Sequence, residues 1–162
     1  SYNKLMEDHG VDDFHEPFTF FIPGYNLRST DLQAFLGIRQ IKKANWVSKK
    51  RNENHILYAA KLKGYVEFQN WGENTPVSIS FGALARDTQH RKEIVTRLVE
   101  NGIETRIFSA GNLGRHPFWV DLYGEFRDEM SDKIHSCGFF LPNYPELTNE
   151  EIEFICDIVK GE

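Results

Sequence analysis

Two short segments of the chain combine side chains that can bind an anion or another polar ligand. In the first, Pro23-Gly24 makes a turn that brings Asn26 and Arg28 close to the start of a predicted helix. Backbone amides point outward at a helix N-terminus and the helix dipole favours anions, so a phosphate or a carboxylate could dock there. The same residues also fit a plain turn, a helix cap and a solvent-facing arginine, and the local sequence leaves both interpretations open.

The second segment runs from Glu104 to Pro117. A short predicted strand that carries Arg106 leads into a loop of small residues, and this loop presents Asn112, Arg115 and His116. Loops that follow strands often present polar groups to a ligand. A plain connecting loop would have the same composition, and the ligand-binding interpretation is favoured only slightly over it.

Other familiar kinds of catalytic or metal centre are not indicated. The sequence lacks the GxSxG, HExxH, GxxxxGK[ST] and GxGxxG motifs. Its six histidines are scattered without the spacing of metal ligands, so we expect them to be surface or structural residues. Cys137 and Cys156 have no CxxC spacing and no apolar N-terminal run accompanies them, which predicts reduced thiols and a cytoplasmic protein.

The composition predicts one folded domain. The chain has 162 residues, of which 40% are hydrophobic, and its formal net charge is -5. An acidic chain of this kind is not expected to bind nucleic acid in general, because such binding needs a basic face that displaces the counterions of the phosphates. No segment has the run of about 18 apolar residues that a membrane span needs. We therefore expect neither nucleic acid nor a membrane as a partner.

Predicted strands and helices alternate along the chain. The last helix has the strongest signal, because Thr148 and Glu151 have the spacing of a capping box. The polar residues 1–16 have no period and are predicted to be a lead-in to the domain. This order predicts an α+β or α/β fold with helices against one face of a small sheet. The predicted strands cover 18–22, 77–81, 103–108 and 137–141. Of the predicted helices, the first begins at Asp31, the second covers 44–62, the third ends at Asn101, the fourth covers 118–134 and the fifth follows Thr148.

Four segments resemble a known family. GYNLRSTDLQAFLGIRQIKK (Gly24 to Lys43) and GIETRIFSAGNLGRHP (Gly102 to Pro117) are similar to segments of the DegT and StrS family of pyridoxal-phosphate-dependent sugar aminotransferases. The second segment is most similar to the branch with nucleotide-sugar 3-dehydratases and perosamine-type synthases. HSCGFFLPN (His135 to Asn143) and LTNEEIEFI (Leu147 to Ile155) also resemble family segments. The resemblance covers residues 17–160 in order.

The resemblance implies that residues 17–162 are the small C-terminal domain of a fold-type-I pyridoxal-phosphate enzyme. Such a domain is α+β (an α/β sandwich), with a small, mostly antiparallel sheet and helices packed on it. The family acts on nucleotide-linked keto-sugars in polysaccharide biosynthesis, commonly as dimers. Its Schiff-base lysine, the aspartate at the pyridine nitrogen and the ring-stacking aromatic residue belong to a large N-terminal domain that has no counterpart here. We therefore assign no catalytic residue. We expect that this chain alone neither binds pyridoxal phosphate nor catalyses the reaction.

The resemblance also assigns binding residues. Asn26 corresponds to the family asparagine that reaches the cofactor phosphate of the neighbouring subunit, and Arg28 lies beside it. The residues that match the nucleotide-sugar end of the site are Arg106, Asn112, Arg115 and His116.

Three hypotheses follow for the function. In the first, the chain is part of an enzyme that either transfers an amino group or removes a hydroxyl group, with the AGN and RHP residues favouring the dehydratase branch. In the second, it is a truncated, non-catalytic module that binds a nucleotide sugar or pairs with a full-length relative. Such a module would expose apolar side chains, for instance those of Phe18, Phe20, Phe21 and Trp46, and would self-associate or find a partner. In the third, it is a remnant that folds and has no function.

Overall fold

A computed structural model describes residues 30–162 of the chain, together with residues 4, 7 and 8. The chain divides into two units, Ser1–Arg39 and Gln40–Glu162. Helix α1 (Asp31–Ile41) begins in the first unit at Asp31, as the sequence predicts, and its first turn has a reciprocal cap. The Gln33 amide donates to Thr30 Oγ1 at 3.3 Å, and the Thr30 amide donates to Gln33 Oε1 at 2.9 Å. The predicted lead-in at 1–16 and strand at 18–22 lie largely outside the described residues.

The second unit alternates helices with short strands. Its described elements are α2 (Ala44–Leu62), β1 (Ser80–Leu84), α3 (Thr88–Glu100), β2 (Arg106–Ile107), a 3-10 turn (Leu113–Arg115), α4 (Pro117–Tyr123), α5 (Glu129–Cys137), β3 (Gly138–Pro142) and α6 (Asn149–Lys160).

Strand β3 is the centre of a three-stranded sheet with the order β1-β3-β2. Both pairings are antiparallel: Phe81 lies opposite Leu141 in the first, and Arg106 lies opposite Phe140 in the second. The small antiparallel sheet that the family resemblance implies is therefore confirmed.

A single apolar core joins this sheet to helices α2, α3 and α6. Alternate residues of β1 are buried because successive side chains of a strand point to opposite faces. The helices contribute residues at helical spacing, such as Ile152 and Ile155 of α6. The residues that are at most 1% exposed include Tyr58, Leu62, Phe81, Ala83, Ile94, Leu98, Phe139, Leu141, Ile152, Cys156 and Val159.

Helix α6 has its predicted boundaries. Glu151 N donates to Thr148 Oγ1 at 3.2 Å and Thr148 N donates to Glu151 Oε2 at 2.8 Å, which completes the capping box. At the other end, Gly161 adopts φ +84°. Arg97 of α3 binds the last turn by donating to the carbonyl oxygens of Ile158 and Val159 at 2.9 and 2.8 Å, and so satisfies acceptors that have no partner within the helix.

The predicted helix over 118–134 is wrong, because the segment forms two helices. The first, α4, ends at Gly124, whose φ of +79° leaves the helical region. The second, α5, begins after Asp128, whose carboxylate accepts a hydrogen bond from Ser131 N at 2.8 Å. The weak apolar stripe of this segment spans the break and concealed it.

Two predicted strands also differ from those observed. The strand predicted at 77–81 begins only at Ser80, since the residues before it bind side chains instead of a neighbouring strand. Pro76 O accepts from Asn52 Nδ2 of α2 at 3.0 Å, and Ser78 O accepts at 2.9 Å from Nδ2 of Asn143, the residue after β3. The strand predicted at 103–108 contracts to Arg106–Ile107.

Both cysteines are free and buried. Burial raises the pKa of the Cys156 thiol to about 12. Among the residues that the structure describes, no group of histidine, cysteine or acidic side chains is arranged to hold a metal ion. Within the same residues, no helix combines the length and the apolar character needed to cross a lipid bilayer.

Candidate functional site

The loop between β2 and α4 has a backbone that is shaped by its glycines and by one buried asparagine. We call residues 108–116 the Asn112 loop. Ser109 has φ 54° and Gly111 has φ 65°, both in the left-handed region. A Cβ on Gly111 would lie 2.4 Å from His135 Nδ1, and one on Gly114 would lie 2.5 Å from the Phe126 Cβ. The two glycines therefore allow a close approach to α5 and to the segment before it.

Asn112 holds this loop together and is itself only 4% exposed. Its Oδ1 accepts a hydrogen bond from Gly114 N at 2.9 Å. Its Nδ2 donates to Phe126 O at 3.2 Å and to Asp132 Oδ1 at 3.0 Å. Both hydrogens of the amide are thus used inside the protein. The geometry gives Asn112 an organising role, and its predicted contact with a substrate stays a prediction.

Asp132 of α5 is the charged centre of the cluster around Asn112. Its Oδ1 lies 3.5 Å from an Arg115 Nη atom and 3.6 Å from an Arg127 Nη atom. The hydrogen bond from Asn112, together with the two guanidinium groups, lowers the pKa of the Asp132 carboxyl. Asp132 is therefore ionised at neutral pH, and its negative charge balances part of the positive charge of Arg115 and Arg127.

Arg115 keeps unused donors in this arrangement. Within residues 30–162 its guanidinium makes no hydrogen bond, since the contact with Asp132 at 3.5 Å is an ion pair only. Arg127 differs because its Nη2 is 2.6 Å from Glu125 Oε1. The Arg115 side chain is 28% exposed, so part of its planar donor group faces solvent. Arg115 can accordingly bind a phosphate or a carboxylate.

His135 packs against the loop as a neutral ring. Its Nδ1 accepts a hydrogen bond from Asn112 N at 3.2 Å, which fixes the proton on Nε2 in the neutral form. Desolvation, followed by the positive charge of Arg115, lowers the pKa of His135.

His116 lies at the junction of the loop and α4. Its Nε2 is 2.8 Å from the Ala110 carbonyl oxygen, which can only accept, so Nε2 carries a hydrogen. In the neutral ring Nδ1 has no hydrogen-bond partner within residues 30–162 and can accept from a ligand hydroxyl or amide.

Arg106 is not part of this cluster. Its guanidinium pairs with Glu104 at 3.1 Å and its side chain is 78% exposed. It lines a separate cleft of about 340 Å³ at the sheet edge, together with Arg51 and Tyr144, and none of the other three predicted substrate residues lines that cleft. The structure thus brings Asn112, Arg115 and His116 together and places Arg106 elsewhere. Asn26 and Arg28, the predicted cofactor residues, lie outside the described residues.

Sequence reasoning missed three residues of the cluster, which are Arg127, Asp132 and His135. The missing signal was the helix break: Gly124 followed by an Asp128 cap starts a new helix, and that helix presents Asp132 and His135 in its first and second turns. With a continuous helix predicted over 118–134, nothing in the sequence indicated that Asp132 and His135 face the loop.

The described residues do not by themselves fit pyridoxal phosphate. A Schiff-base lysine needs a desolvated amine with a lowered pKa, whereas no lysine within residues 30–162 is buried. Lys61 and Lys133 instead bind Glu153 and Glu67 at 2.6 and 2.7 Å, and these contacts raise the pKa of both amines. We derive no chemical step through the cofactor.

Comparison with known proteins places this geometry in context. The sequence model of the DegT/DnrJ/EryC1/StrS aminotransferase family matches residues 2–160. The chain is 27% identical to GDP-4-keto-6-deoxy-D-mannose 3-dehydratase of Yersinia pseudotuberculosis, over 98% of the chain and 42% of that protein. It is 24% identical to GDP-perosamine synthase of Escherichia coli O157:H7, over 90% of the chain and 39% of that protein. The chain therefore spans about two fifths of the length of these relatives.

Solved structures show the same fold. The structure of the E. coli GDP-4-keto-6-deoxy-D-mannose-3-dehydratase with bound hydrated PLP superposes with a TM-score of 0.73 at 24% identity, over 91% of this chain and 40% of that one. Helicobacter pylori PseC, an aminotransferase involved in the biosynthesis of pseudoaminic acid, superposes with a TM-score of 0.74 at 21% identity, over 98% of this chain and 44% of that one. The predicted α+β fold, that of a domain found in such enzymes, is confirmed.

Proposed function

Because the chain belongs to the DegT/DnrJ/EryC1/StrS aminotransferase family, we propose that it is the small C-terminal domain of an enzyme that acts on nucleotide-linked keto-sugars. The relatives are longer than this chain, which supports a large domain supplied by further polypeptide. As a domain of such an enzyme it would span residues 17–162. A cytoplasmic location agrees with its two free, buried cysteines.

The main support for this proposal is the environment of the Arg115 guanidinium. This group lies beside a loop that is rigidly held by Asn112, is partly exposed and makes no hydrogen bond within residues 30–162. The diphosphate of a nucleotide sugar is an anion whose oxygens match the planar fork of an arginine. Asp132 holds Arg115 in place through its charge, and Asn112 holds Asp132 through a hydrogen bond.

His116 and Arg106 complete the proposed contacts in different ways. Nδ1 of His116 would accept a hydrogen bond from a hydroxyl group of the substrate, because Nε2 is engaged with Ala110 O. Arg106 would interact with a more distant part of the nucleotide, since it lines the sheet-edge cleft rather than the Asn112 loop. Asn112 would act mainly by positioning its neighbours.

The cofactor would be bound mostly by groups outside the described residues. We propose that Asn26 and Arg28 reach the phosphate of pyridoxal phosphate in a neighbouring subunit of a homodimer. When bound, pyridoxal phosphate supplies the electron sink for chemistry at a sugar carbon. Aminotransfer and 3-dehydration both remain candidate reactions, because the residue that decides between them would lie in the large domain.

A truncated module that binds a nucleotide sugar, or that pairs with a full-length relative, is the second candidate. Exposed apolar side chains support it: Trp46 is 45% exposed and Phe118 is 56% exposed. The other residues predicted for such a surface, Phe18, Phe20 and Phe21, lie outside the described residues.

Nucleotide binding tests the proposal on the chain itself. We expect GDP or dTDP to bind with an affinity that falls about tenfold to a hundredfold in Arg115→Ala, because one charge-assisted hydrogen bond contributes roughly 1.5–3 kcal/mol. Arg127→Ala is the matched control, since Arg127 already binds Glu125, and its affinity should stay close to that of the parent chain. Equal losses in the two variants would mean that net charge, and not Arg115, attracts the nucleotide.

Cofactor trapping tests whether the chain can build a pyridoxal-phosphate site by itself, which neither candidate predicts. The chain is incubated with pyridoxal phosphate, reduced with borohydride and analysed by intact mass. Scattered or absent labelling agrees with a domain that needs a large-domain partner. One stoichiometric adduct on a single lysine would show that the chain builds its own cofactor site and would contradict the proposal.

A further inference from the structure

A second cleft, of about 330 Å³, lies beside α2 and differs from the Asn112 loop in having no charged side chain in its lining. We call it the amide cleft. Its volume is at the lower end of the range for small-molecule sites, about 300–1,000 Å³. The polar and aromatic side chains of its lining are those of His55, Gln69, Asn70, Trp71, Asn74 and Ser78.

His55 forms the buried wall of the amide cleft. It is 8% exposed, and its ring packs edge-on against Trp71 with centroids 4.9 Å apart and against Phe81 at 4.8 Å. Its Nδ1 is 2.8 Å from Ser78 Oγ, whereas its Nε2 is buried and has no hydrogen-bond partner in the part of the chain that the structure describes. Burial lowers the pKa of His55, so the ring is neutral at neutral pH.

The proton on this ring can be assigned from Asn143. Asn143 Nδ2 lies 2.9 Å from the Ser78 carbonyl oxygen and 3.3 Å from that of Arg51. Two carbonyl acceptors around one atom identify it as the amide nitrogen, a donor only. The same nitrogen is 3.3 Å from Ser78 Oγ, and therefore faces a lone pair of that hydroxyl.

Ser78 consequently has one acceptor for its hydroxyl proton. Within residues 30–162 its Oγ contacts only Asn143 Nδ2, which cannot accept, and His55 Nδ1. Ser78 is partly exposed, and we assign its hydroxyl proton to His55 Nδ1 because this is the acceptor among its protein contacts; the assignment places the hydrogen of the neutral imidazole on Nε2. A buried N–H donor without a partner costs about 1–3 kcal/mol, and a ligand oxygen that reached Nε2 would remove this cost. Because Nε2 has almost no accessible surface, the ring or the cleft wall must shift for a ligand in the amide cleft to make this contact.

The rest of the lining offers donors and acceptors without charge. Asn70 Oδ1 is engaged with Gly72 N at 2.9 Å, which leaves the Asn70 amide hydrogens for a ligand. Asn74 Nδ2 is engaged with Trp71 O at 3.1 Å, which leaves the Asn74 carbonyl oxygen. The Gln69 side chain is exposed, and Trp71 is half-buried and adds an apolar ring.

We propose that the amide cleft binds a neutral sugar ring, at a site separate from the nucleotide contacts of Arg115. Each sugar hydroxyl both donates and accepts, which matches mixed amide groups and the Nε2–H of His55. The C–H face of the ring packs against an aromatic side chain such as Trp71. A charged ligand would lack an opposite charge in this lining. The ligand is therefore a free sugar or the neutral end of a glycan.

The proton assignment has a test of its own. Nitrogen-15 NMR of the full chain distinguishes the two neutral tautomers of histidine. We expect His55 to carry its hydrogen on Nε2, and a ring with the hydrogen on Nδ1 would overturn the proposed contact, because Nε2 could then not donate to a sugar oxygen.

Sugar binding is tested by titrating the labelled chain with D-mannose, GDP-mannose and GDP. We expect saturable shifts with mannose at the amides of residues 69–78 and at the Trp71 indole, with a millimolar dissociation constant. Mannitol, the open-chain polyol with hydroxyl groups but no ring face, should shift these signals much less. GDP-mannose should give the same shifts as mannose, and GDP alone should leave the cleft unchanged.

Variants identify the groups involved. His55→Phe keeps a ring and removes the N–H, and should weaken mannose binding about tenfold, the loss of one hydrogen bond. Gln69→Ala changes an exposed side chain and should weaken binding about threefold, which keeps the test valid if the first variant does not fold. Gln89→Ala on α3 is the matched control and should bind like the parent chain.

Several outcomes would overturn the proposal. They are the absence of saturable shifts with mannose, equal shifts with mannitol, shifts confined to residues 112–116, and unchanged affinity in Gln69→Ala and in a folded His55→Phe. Each of these outcomes leaves the nucleotide test of Arg115 untouched, so the two proposals fail separately.

Discussion

The sheet core and the Asn112 loop reach a defined shape by different physical means. Phe81, Leu141 and Ile152 of the core are at most 1% exposed and are held by the removal of apolar surface from water, which has no preferred direction. The Asn112 loop instead depends on hydrogen bonds of one buried amide and on two glycines. Directional bonds fix positions to fractions of an ångström over a few residues, whereas apolar packing stabilises the whole unit. Substitutions in the two regions should therefore differ in how much they lower the free energy of unfolding and in how many residues they affect.

Truncation in the core should have the largest effect. Phe81→Ala removes a fully buried ring that packs against Tyr58 with centroids 5.1 Å apart and against His55. We expect the free energy of unfolding to fall by about 3–5 kcal/mol, measured by urea denaturation. Phe118→Ala, at a ring that is 56% exposed, is the control and should change it by less than about 0.5 kcal/mol. Similar losses in both would contradict the burial assigned to β1.

Removal of the buried amide should cost less and act locally. Asn112→Ala leaves Gly114 N and Phe126 O without their partner, so we expect a loss of about 1–3 kcal/mol. Hydrogen exchange should accelerate in residues 108–116 and at the start of α5, while the amides of β1 and β3 remain protected. Uniform acceleration over the sheet would show that the loop and the core are one cooperative unit.

As the pH is lowered, the protein should first lose the stability that depends on neutral histidines, and only at lower pH the stability that depends on ionised carboxylates. The folded pKa of His135 lies below its unfolded value of about 6.5, so below that pH only the unfolded chain takes up this proton. The free energy of unfolding should therefore fall as the pH decreases from about 7 to 5, and His55, whose pKa is also lowered, adds to the fall.

His135→Asn separates the two histidines, because the asparagine Oδ1 can accept from Asn112 N and does not titrate in this range. The slope of stability against pH should become smaller in this variant. The side chains around His135 are those of Arg115, His116, Arg127 and Asp132, and the last keeps its charge because its own pKa is lowered. An unchanged slope would place the acid sensitivity elsewhere.

The smallest effect on stability is expected at Arg115. Its ion pair with Asp132 is long and partly exposed, so Arg115→Ala should change the free energy of unfolding by less than about 0.5 kcal/mol. The same substitution should reduce nucleotide binding, which distinguishes a binding residue from a structural one. A large loss of stability would instead make Arg115 part of the scaffold.

Local sequence signals predicted the elements that depend on local physics. The cap of α6 and the end of α2 ahead of Gly64 follow from residue types at fixed spacing, and both were predicted. The break at Gly124 was missed because the apolar residues on either side of it continue a helical period by coincidence. The start of β1 was misplaced because Asn143, 65 residues away in sequence, binds Ser78.

The candidate site shows the same division. Asn112, Arg115 and His116 are close in sequence and were found as one group, whereas Asp132 and His135 join them only through the tertiary fold. Arg106 was grouped with them by sequence proximity, yet a side chain on a strand can face a different cleft from the loop that follows it. Contacts between distant segments have no signature in a single sequence.

The burial of both cysteines gives the protein two built-in probes of its own opening. Cys156 lies on α6 and Cys137 at the junction of α5 with β3, and neither thiol is accessible in the closed structure. An alkylating reagent reacts with the thiolate, so each site is modified only at the rate at which its element detaches. Comparing the two rates by mass spectrometry would show whether α6 leaves the sheet alone or together with it.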